Sequence, residues 1–218
     1  MLNTSPSHQP VQITLKDLAP CQLGYQIKIL DEAATISDYL EALRLFAEQT
    51  LADCKGCDGC CFERAPLTIL DVDRLAKLCP DSNYPAHQVV KYFGELHTFS
   101  DGALDITLRR PHGQACLLLD QKNKCCSQHQ ARPFVCRSHF CLPPDATVHE
   151  LRSLITNFGL DALIVQLYEE EKAGAAKILP DLQIEDYQNS PLIGKTQAEQ
   201  VLIKAISPAS FWETVFDK

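Results

Sequence analysis

Nine of the eleven cysteines in this chain of 218 residues fall into two groups. A thiolate is a soft metal ligand, so grouped cysteines select zinc, cuprous copper or iron-sulfur clusters over magnesium or calcium. The two groups therefore predict a cysteine-ligated metal centre. The first group is the run CKGCDGCC, with Cys54, Cys57, Cys60 and Cys61, and the second comprises Cys116, Cys125, Cys126, Cys136 and Cys141.

The spacing of the first group bears on the kind of metal. Cys54, Cys57 and Cys60 are each two residues apart, which resembles the run that supplies three ligands of a four-iron cluster in bacterial ferredoxins. A distant cysteine completes such a set, and Cys136 is a candidate for it. A CxxC unit also suits half of a zinc site, but zinc ribbons carry a second CxxC, which is absent outside this run. The spacing favours an iron-sulfur cluster and leaves zinc as the alternative.

The candidate ligands outnumber what one tetrahedral ion accepts. The chain therefore holds a polynuclear cluster, two nearby ions, or one centre with spare cysteines. His129 and His139 lie within the second group, where either is able to replace a thiolate. Arg132 and Arg137 are candidates to compensate the thiolate charge through hydrogen bonds. The predicted ligands are Cys54, Cys57, Cys60, Cys61, Cys116, Cys126 and Cys136.

Four separated pieces of the chain resemble, in order, the CxxCxxCC family of zinc- or iron-chelating domains, also called the YkgJ family. The resemblance covers about Cys54 to Cys141, which is under half of the chain. The pieces are CKGCDGCC, the PLT that leads into an acidic helix, Cys116 with its apolar run, and CSQHQARPFVCR at residues 126–137.

Two features depart from the family pattern: His129 stands where Tyr is common, and Cys125 and Cys141 exceed the usual seven cysteines. Some relatives, such as flagellin lysine N-methylases, carry this domain inside a longer enzyme. The resemblance therefore implies metal binding and leaves open whether the chain is an enzyme.

Composition narrows the range of partners. The 20 Lys and Arg against 28 Asp and Glu give a net charge of -8, which opposes binding to a nucleic-acid backbone. The N-terminus lacks a secretory signal pattern, and no window approaches the roughly 18 apolar residues of a membrane span. We therefore expect a cytoplasmic chain whose partner is another protein, with the oligomeric state left open. The reducing cytosol favours metal over disulfide use of the cysteines.

The elements around the cysteines predict an α+β, mostly helical fold. Apolar residues at helical spacing alternate with short polar segments, and Thr68 with Asp71 forms a capping box. Thr147 with Glu150 predicts a second such box, and Glu169, Glu170 and Glu171 predict a solvated helix face. The predicted helices span residues 36–52, 69–78, 85–96, 160–178, 196–206 and 209–216, and a small hairpin joins residues 104–108 to 116–119.

These patterns divide the chain into an N-terminal arm, 1–34, a cysteine-cluster metal-binding domain, 35–144, and a helical C-terminal extension, 145–218. No GxGxxG or P-loop motif occurs, so no nucleotide cofactor is indicated. The favoured function is electron transfer or metal and cluster handling at an iron-sulfur centre. The alternatives are a structural zinc module for protein interaction, or a metal-assisted enzyme, an oxidoreductase or methyl-transferring protein by family analogy.

Overall fold

The computed structural model describes residues 9–51, 57–80, 84–100 and 102–217. These residues form seven α-helices and three two-stranded antiparallel sheets, which confirms the α+β, mostly helical fold with a helical C-terminal part. No helix in the described ranges combines the length and the apolar character needed to cross a membrane. The helices are α1 (Ile36–Thr50), α2 (Ile69–Ala76), α3 (Ala86–Phe93), α4 (Phe134–Arg137), α5 (Ala146–Lys172), α6 (Ile203–Ile206) and α7 (Ala209–Val215). The strands are β1 (Val11–Ala19), β2 (Gln22–Ile29), β3 (Gly94–Thr98), β4 (Leu104–Leu108), β5 (Leu119–Asp120) and β6 (Cys125–Cys126).

The chain contacts itself within two compact units. Unit 1 comprises Met1–Ala52, Phe140–Ser153 and Glu199–Lys218, and unit 2 comprises Asp53–His139 and Leu154–Ala198. The N-terminal part of α5 therefore belongs to unit 1 and its longer C-terminal part to unit 2. Within the described residues, the cysteines from Cys57 to Cys136 all belong to unit 2.

Unit 1 is built on the β1–β2 hairpin, in a region where the sequence analysis predicted an arm and no strand. The two strands pair in register from Val11 with Ile29 to Asp17 with Leu23. Tyr25, Ile27 and Ile29 of β2 are buried and alternate with polar residues. That alternation is the signature of a half-buried strand, so the signal for β2 is present in the sequence.

Helices α1 and α5 begin at side-chain caps. Thr35 and Asp38 form a reciprocal capping box at the start of α1, with Thr35 N donating to Asp38 Oδ2 at 2.8 Å. For α5, the predicted capping box of Thr147 with Glu150 is wrong. Asp145 caps the helix instead, because its Oδ1 accepts Val148 N at 3.0 Å and the Thr147 hydroxyl at 2.6 Å.

In unit 2 the predicted hairpin has a different partner strand. β4 lies at the predicted residues 104–108, but it pairs with β3, with Leu96 opposite Ile106, and not with residues 116–119. The helix predicted to reach residue 96 ends at Phe93, where Gly94 is its C-cap and begins β3. A Cβ at Gly94 would lie 2.7 Å from the Val90 carbonyl oxygen, so the sharp change of direction requires glycine.

The C-terminal helices follow the predicted order, but their bounds differ from the predicted ones. Residues 146–172 form one continuous α5 that includes the predicted helical stretch up to Lys172. The predicted helix 196–206 is reduced to a 3-10 turn, Ala198–Gln200, and to α6. The predicted helix 209–216 is confirmed as α7.

The prediction of a solvated acidic face on α5 is wrong for two of the three glutamates. Glu170 is 15% exposed and accepts hydrogen bonds from Ala86 N, His87 N and His87 Nδ1 at 2.8–3.1 Å, so it caps α3 from another helix. Glu171 accepts Leu179 N at 2.8 Å and thereby fixes the chain after α5. Glu169 is 59% exposed, as predicted.

We expect Glu170→Gln to lower the free energy of unfolding by about 1–2 kcal/mol at neutral pH, because it removes the charge at the α3 cap. Burial disfavours the charged carboxylate, but the bonds from Gln166, His87 and Ala86 outweigh it and lower the pKa of Glu170. A lowered pKa means that the stabilisation exists above the unfolded-state pKa and disappears as pH falls through the folded-state pKa.

Urea unfolding of wild type and variant should therefore differ at neutral pH and converge at a pH below about 4. Glu169→Gln is the matched control, since Glu169 is exposed on the same turn of the helix and should change stability by less than about 0.5 kcal/mol. Equal losses of stability in the two variants would contradict the capping role of Glu170.

Candidate metal centre

The first cysteine group enters the described structure at Cys57, since Cys54 lies outside the described residues. Cys60 and Cys61 stand on a 3-10 turn, Gly59–Phe62, in which Cys61 N donates to the Asp58 carbonyl at 2.9 Å. Cys57 and Cys60 are exposed, and Cys61 is partly buried. The tight turn therefore presents two adjacent thiols in different environments.

A backbone hydrogen bond joins the first group directly to the second. Cys116 N donates to the Cys61 carbonyl at 2.8 Å. Strand β4 supports both sides of this contact, because Leu67 N and Ala65 O, in the segment that follows the first group, bond to its Ile106 and Leu108. On leaving β4 the chain is held at Arg109, whose carbonyl accepts Leu117 N at 3.0 Å. The two groups therefore meet, although Cys61 and Cys116 are 55 positions apart in the sequence.

A very short hairpin, β5–β6, brings Cys126 back toward Cys116. Leu119 pairs with Cys126, and the Ser127 backbone and hydroxyl both donate to the Leu118 carbonyl at 2.8 and 2.9 Å. Each thiol also receives a backbone N–H two residues further along: Leu118 N lies 3.3 Å from Cys116 Sγ, and Gln128 donates to Cys126. Such N–H donors stabilise the thiolate form that a metal ligand requires.

Cys136 is positioned by a buried carboxylate on α2. Asp71 Oδ1 accepts Phe134 N at 2.6 Å at the start of α4, the four-residue helix that carries Cys136. Asp71 Oδ2 accepts the backbone N–H and the hydroxyl of Thr68, each at 2.8 Å, which confirms the predicted capping box. Asp71 and Thr68 are 1% and 0% exposed. One side chain thus caps α2 and also fixes the helix of a predicted ligand.

Helix α5 seals the capping box from solvent. Gly159 lies so close to Thr68 that an added Cβ would approach the Thr68 Cβ to 2.7 Å. No side chain fits between the helix and the box, which explains why glycine occupies the middle of a long helix despite its helix-breaking tendency. The support of Cys136 therefore includes the long C-terminal helix.

Five predicted ligands are electrostatically linked through Cys60. Its thiol interacts with those of Cys61, Cys116, Cys126 and Cys136. Burial, followed by the neighbouring thiolates, raises the pKa of Cys61 to about 12. Burial also raises the pKa of Cys136 to about 12, with smaller contributions from Asp71 and the other thiolates. The thiolate charges repel one another, as expected of thiols gathered in one place.

One arginine acts on the thiols and the other on their support. Arg132 favours the thiolate forms of Cys126 and Cys136 and so lowers the pKa of both against the larger effect of burial. Arg137 lowers the pKa of Asp71, which burial raises above its usual range. The sequence analysis predicted that both arginines compensate the charge of the thiolates. Arg132 acts on two of the thiols, whereas Arg137 acts on the carboxylate of Asp71.

Four cysteines are not among the predicted ligands, and they lie at different places in the fold. Cys125 precedes Cys126 on β6 and interacts with it, whereas Cys141 and Cys21 belong to unit 1. Cys79 lies beyond α2, with its Sγ 3.9 Å from the Leu75 carbonyl. In the described part of the chain, no three Cys, His, Asp or Glu side chains are already arranged to hold a metal ion.

The donor chemistry nevertheless suits a soft metal. Thiols from four separate segments approach one another, two of them receive backbone N–H bonds, and their charged forms are disfavoured by burial and mutual repulsion. A bound cation relieves both penalties, since metal ligation stabilises the deprotonated thiol. The structure brings together five of the predicted ligands, namely Cys60, Cys61, Cys116, Cys126 and Cys136. Cys57 and Cys54 remain predicted ligands.

Comparison with known proteins finds one family that matches part of the chain. Residues 53–154 match the CxxCxxCC family model, described as a "putative zinc- or iron-chelating domain". This segment is similar to that family over 102 of the 218 residues. The matched segment contains all seven predicted ligands and Asp71. No curated protein and no solved structure matches the chain. Metal binding through zinc or iron chemistry is therefore supported.

The sequence analysis identified the Thr68–Asp71 capping box but missed its second role. The signal for the box is local, because Thr and Asp three residues apart satisfy each other's backbone groups. The bond to Phe134 joins residues 63 apart, so no spacing rule reveals it. The second role depends on how the chain folds back on itself.

We expect Asp71→Asn to release Cys136 without unfolding the domain. Asn retains the shape but replaces one acceptor oxygen by an NH2 group, so either Thr68 or Phe134 loses its bond, at a cost of about 1–3 kcal/mol. In metal-free protein, alkylation of Cys136 followed by peptide mapping should be several-fold faster in the variant.

The chain offers a matched control in Asp38→Asn. Asp38 forms the same box with Thr35, with bonds of 2.8 and 2.7 Å, at the start of α1. That substitution should lower stability and leave the alkylation rate of Cys136 unchanged. Equal acceleration in both variants would mean that Cys136 responds to general loosening and that Asp71 has no particular positioning role.

Proposed function

We propose that this protein carries an iron-sulfur cluster and acts in electron transfer or in the handling of metal or clusters. The proposed ligands come from Cys54, Cys57, Cys60, Cys61, Cys116, Cys126 and Cys136. The observation that carries the proposal is the approach of thiols from three other chain segments, those of Cys116, Cys126 and Cys136, to the thiol of Cys60. All of them lie in the segment that matches the CxxCxxCC family.

The number and spacing of the thiols favour a cluster over a single ion. In a cubane each iron takes one cysteine and inorganic sulfide supplies the other positions, so a run of cysteines two residues apart can serve several irons. Such a cluster would supply one-electron redox chemistry when bound. The chain's own contribution is to fix the ligands: β4 supports Cys61 and Cys116, the β5–β6 hairpin places Cys126, and Asp71 holds the helix of Cys136.

A structural zinc module is the second candidate, and one observation favours it. Cys60, Cys116, Cys126 and Cys136 interact through their thiols, and four cysteines are the complete ligand set of a structural zinc site. In this alternative the metal stabilises the unit and presents a surface to another protein. The two candidates share ligands and differ in redox activity.

The protein made under anaerobic, iron-replete conditions should be brown, contain acid-labile sulfide and lose visible absorption on reduction. Elemental analysis, sulfide analysis and an optical spectrum of one preparation test this. Colourless protein with stoichiometric zinc and no labile sulfide would establish the zinc module and overturn the cluster.

Replacement of single ligands tests the donor set independently of the metal's identity. Cys60→Ser and Cys136→Ser should each lower bound metal and soluble yield together, because metal binding contributes directly to folding. Cys79→Ser is the matched control in the same unit, and its metal content should equal that of wild type. Wild-type metal content in both Cys60→Ser and Cys136→Ser would exclude a centre at these residues.

A carrier or electron-transfer protein requires a protein partner, so we also propose a second protein as the physiological contact and the cytoplasm as the location. The acidic net charge of -8 supports a partner other than nucleic acid. Once a partner is identified, transfer is tested by measuring the metal bound to the purified protein with and without that partner.

A further inference from the structure

Two tyrosines in the core of unit 1 have hydroxyl groups without a hydrogen-bond partner among the described residues. Tyr25 on β2 and Tyr39 on α1 are each 0% exposed, and both hydroxyl oxygens are buried and unpaired. Burying a hydroxyl without a hydrogen bond is unfavourable, and the large majority of buried polar side-chain atoms in proteins have such a bond. The two hydroxyls therefore require a partner other than the described side chains and backbone.

The two hydroxyls lie near each other. Burial raises the pKa of Tyr25 to about 12, and burial also raises the pKa of Tyr39, with a further increase from the nearby Tyr25. That increase reflects repulsion between two phenolates, which is strong only at short range in a dry interior. The structure describes both residues and shows no direct hydrogen bond between them. A gap too long for a direct bond and short enough for mutual repulsion suits one bridging molecule.

Backbone contacts prevent the two side chains from closing this gap by moving together. Tyr25 N donates to the Pro143 carbonyl at 3.1 Å, and the Tyr25 carbonyl accepts Asp145 N at 2.8 Å. Tyr39 N donates to the Thr35 carbonyl at 3.1 Å in the first turn of α1. Both tyrosines are therefore anchored before any molecule enters between their hydroxyls.

Aromatic rings surround the hydroxyl of Tyr25 with apolar surface. The ring of Tyr25 lies between those of Phe46 and Phe140, each with its centroid 5.6 Å away. Such a site excludes bulk water and leaves room only for a small, fully bonded molecule. The bridging molecule should therefore be held permanently and should not exchange freely with solvent.

The charges around the two hydroxyls favour a neutral molecule over an ion. Against the larger effect of burial, the guanidinium of Arg152 lowers the pKa of both tyrosines, whereas the carboxylate of Asp145 raises that of Tyr25. Positive and negative groups thus act together on this site. A phenol hydroxyl can donate one hydrogen bond and accept others, and a water molecule matches both functions.

We propose that one water molecule is buried in unit 1 and bridges the hydroxyls of Tyr25 and Tyr39. Two bonds of about 2.8 Å from the water to the hydroxyl oxygens span a gap of up to about 5.5 Å. Buried waters of this kind are part of the folded structure and satisfy polar groups that protein atoms do not reach. The water joins β2 to α1, and its binding is independent of the metal centre.

Urea unfolding of the full chain tests the bridge through Tyr25→Phe, Tyr39→Phe and the double variant. The fluorescence of Trp212 reports on unit 1, because it is the single tryptophan of the chain and lies in that unit. Each single variant should lower the ratio of folded to unfolded protein by about fivefold, because the remaining hydroxyl loses its partner. The double variant should lose far less than the product of the two, since the second hydroxyl is already unpaired.

Tyr92→Phe is the matched control, because Tyr92 is 53% exposed and its hydroxyl is open to solvent. Its stability should equal that of wild type. Greater stability in both single variants would overturn the bridge, because removing an unpaired hydroxyl from a dry core is favourable. Losses that simply multiply in the double variant would overturn it as well, because they would show that each hydroxyl has a partner of its own.

A crystal structure of the wild-type chain tests the water directly and depends on no variant. We expect one water oxygen within about 2.6–3.2 Å of both hydroxyl oxygens. A direct bond between the two hydroxyls, or no electron density between them, would overturn the proposal. An anomalous bromide signal at this position after a soak in sodium bromide would overturn the choice of water and assign the site to an anion.

Discussion

The carboxylate of Asp71 satisfies three donors from two chain segments in a place that water does not reach. A buried charge of this kind is costly unless its acceptor sites are filled, and here Thr68 and Phe134 fill them at 2.6–2.8 Å. Neither segment can move away without leaving an unsatisfied buried group. The requirement to satisfy one carboxylate therefore ties the start of α2 to the start of α4.

The arrangement of the thiols follows from that tie and from β4. The segment at residues 65–67 runs along one edge of β4, and β3 runs along the other, so the strand is paired on both sides. The first cysteine group precedes the segment on one edge, and Cys116 follows β4 itself. Both chain directions are set by hydrogen bonds to the same strand, and the backbone bond from Cys116 to Cys61 joins the two cysteine groups.

The charged side chains of unit 2 are distributed unevenly, which the net charge of the chain does not reveal. The gathered thiols resist ionisation, Arg132 offsets part of this resistance, and Arg137 acts on the carboxylate beneath Cys136. Part of the positive charge of unit 2 therefore lies next to the thiols and next to the carboxylate that supports Cys136.

Local chemistry is readable from the sequence alone: the grouped cysteines, the capping box at Thr68, the start of α1, the bounds of β4, and the α+β class. These features depend on residues within a few positions of one another, where spacing and geometry are equivalent. Tertiary structure alone decided that β3 pairs with β4, that Glu170 caps α3 from another helix, and that Asp71 holds Phe134. Each of these joins groups that are brought together only when the chain buries its apolar faces, and the pattern within a single segment carries no information about which distant donor will fill a buried acceptor.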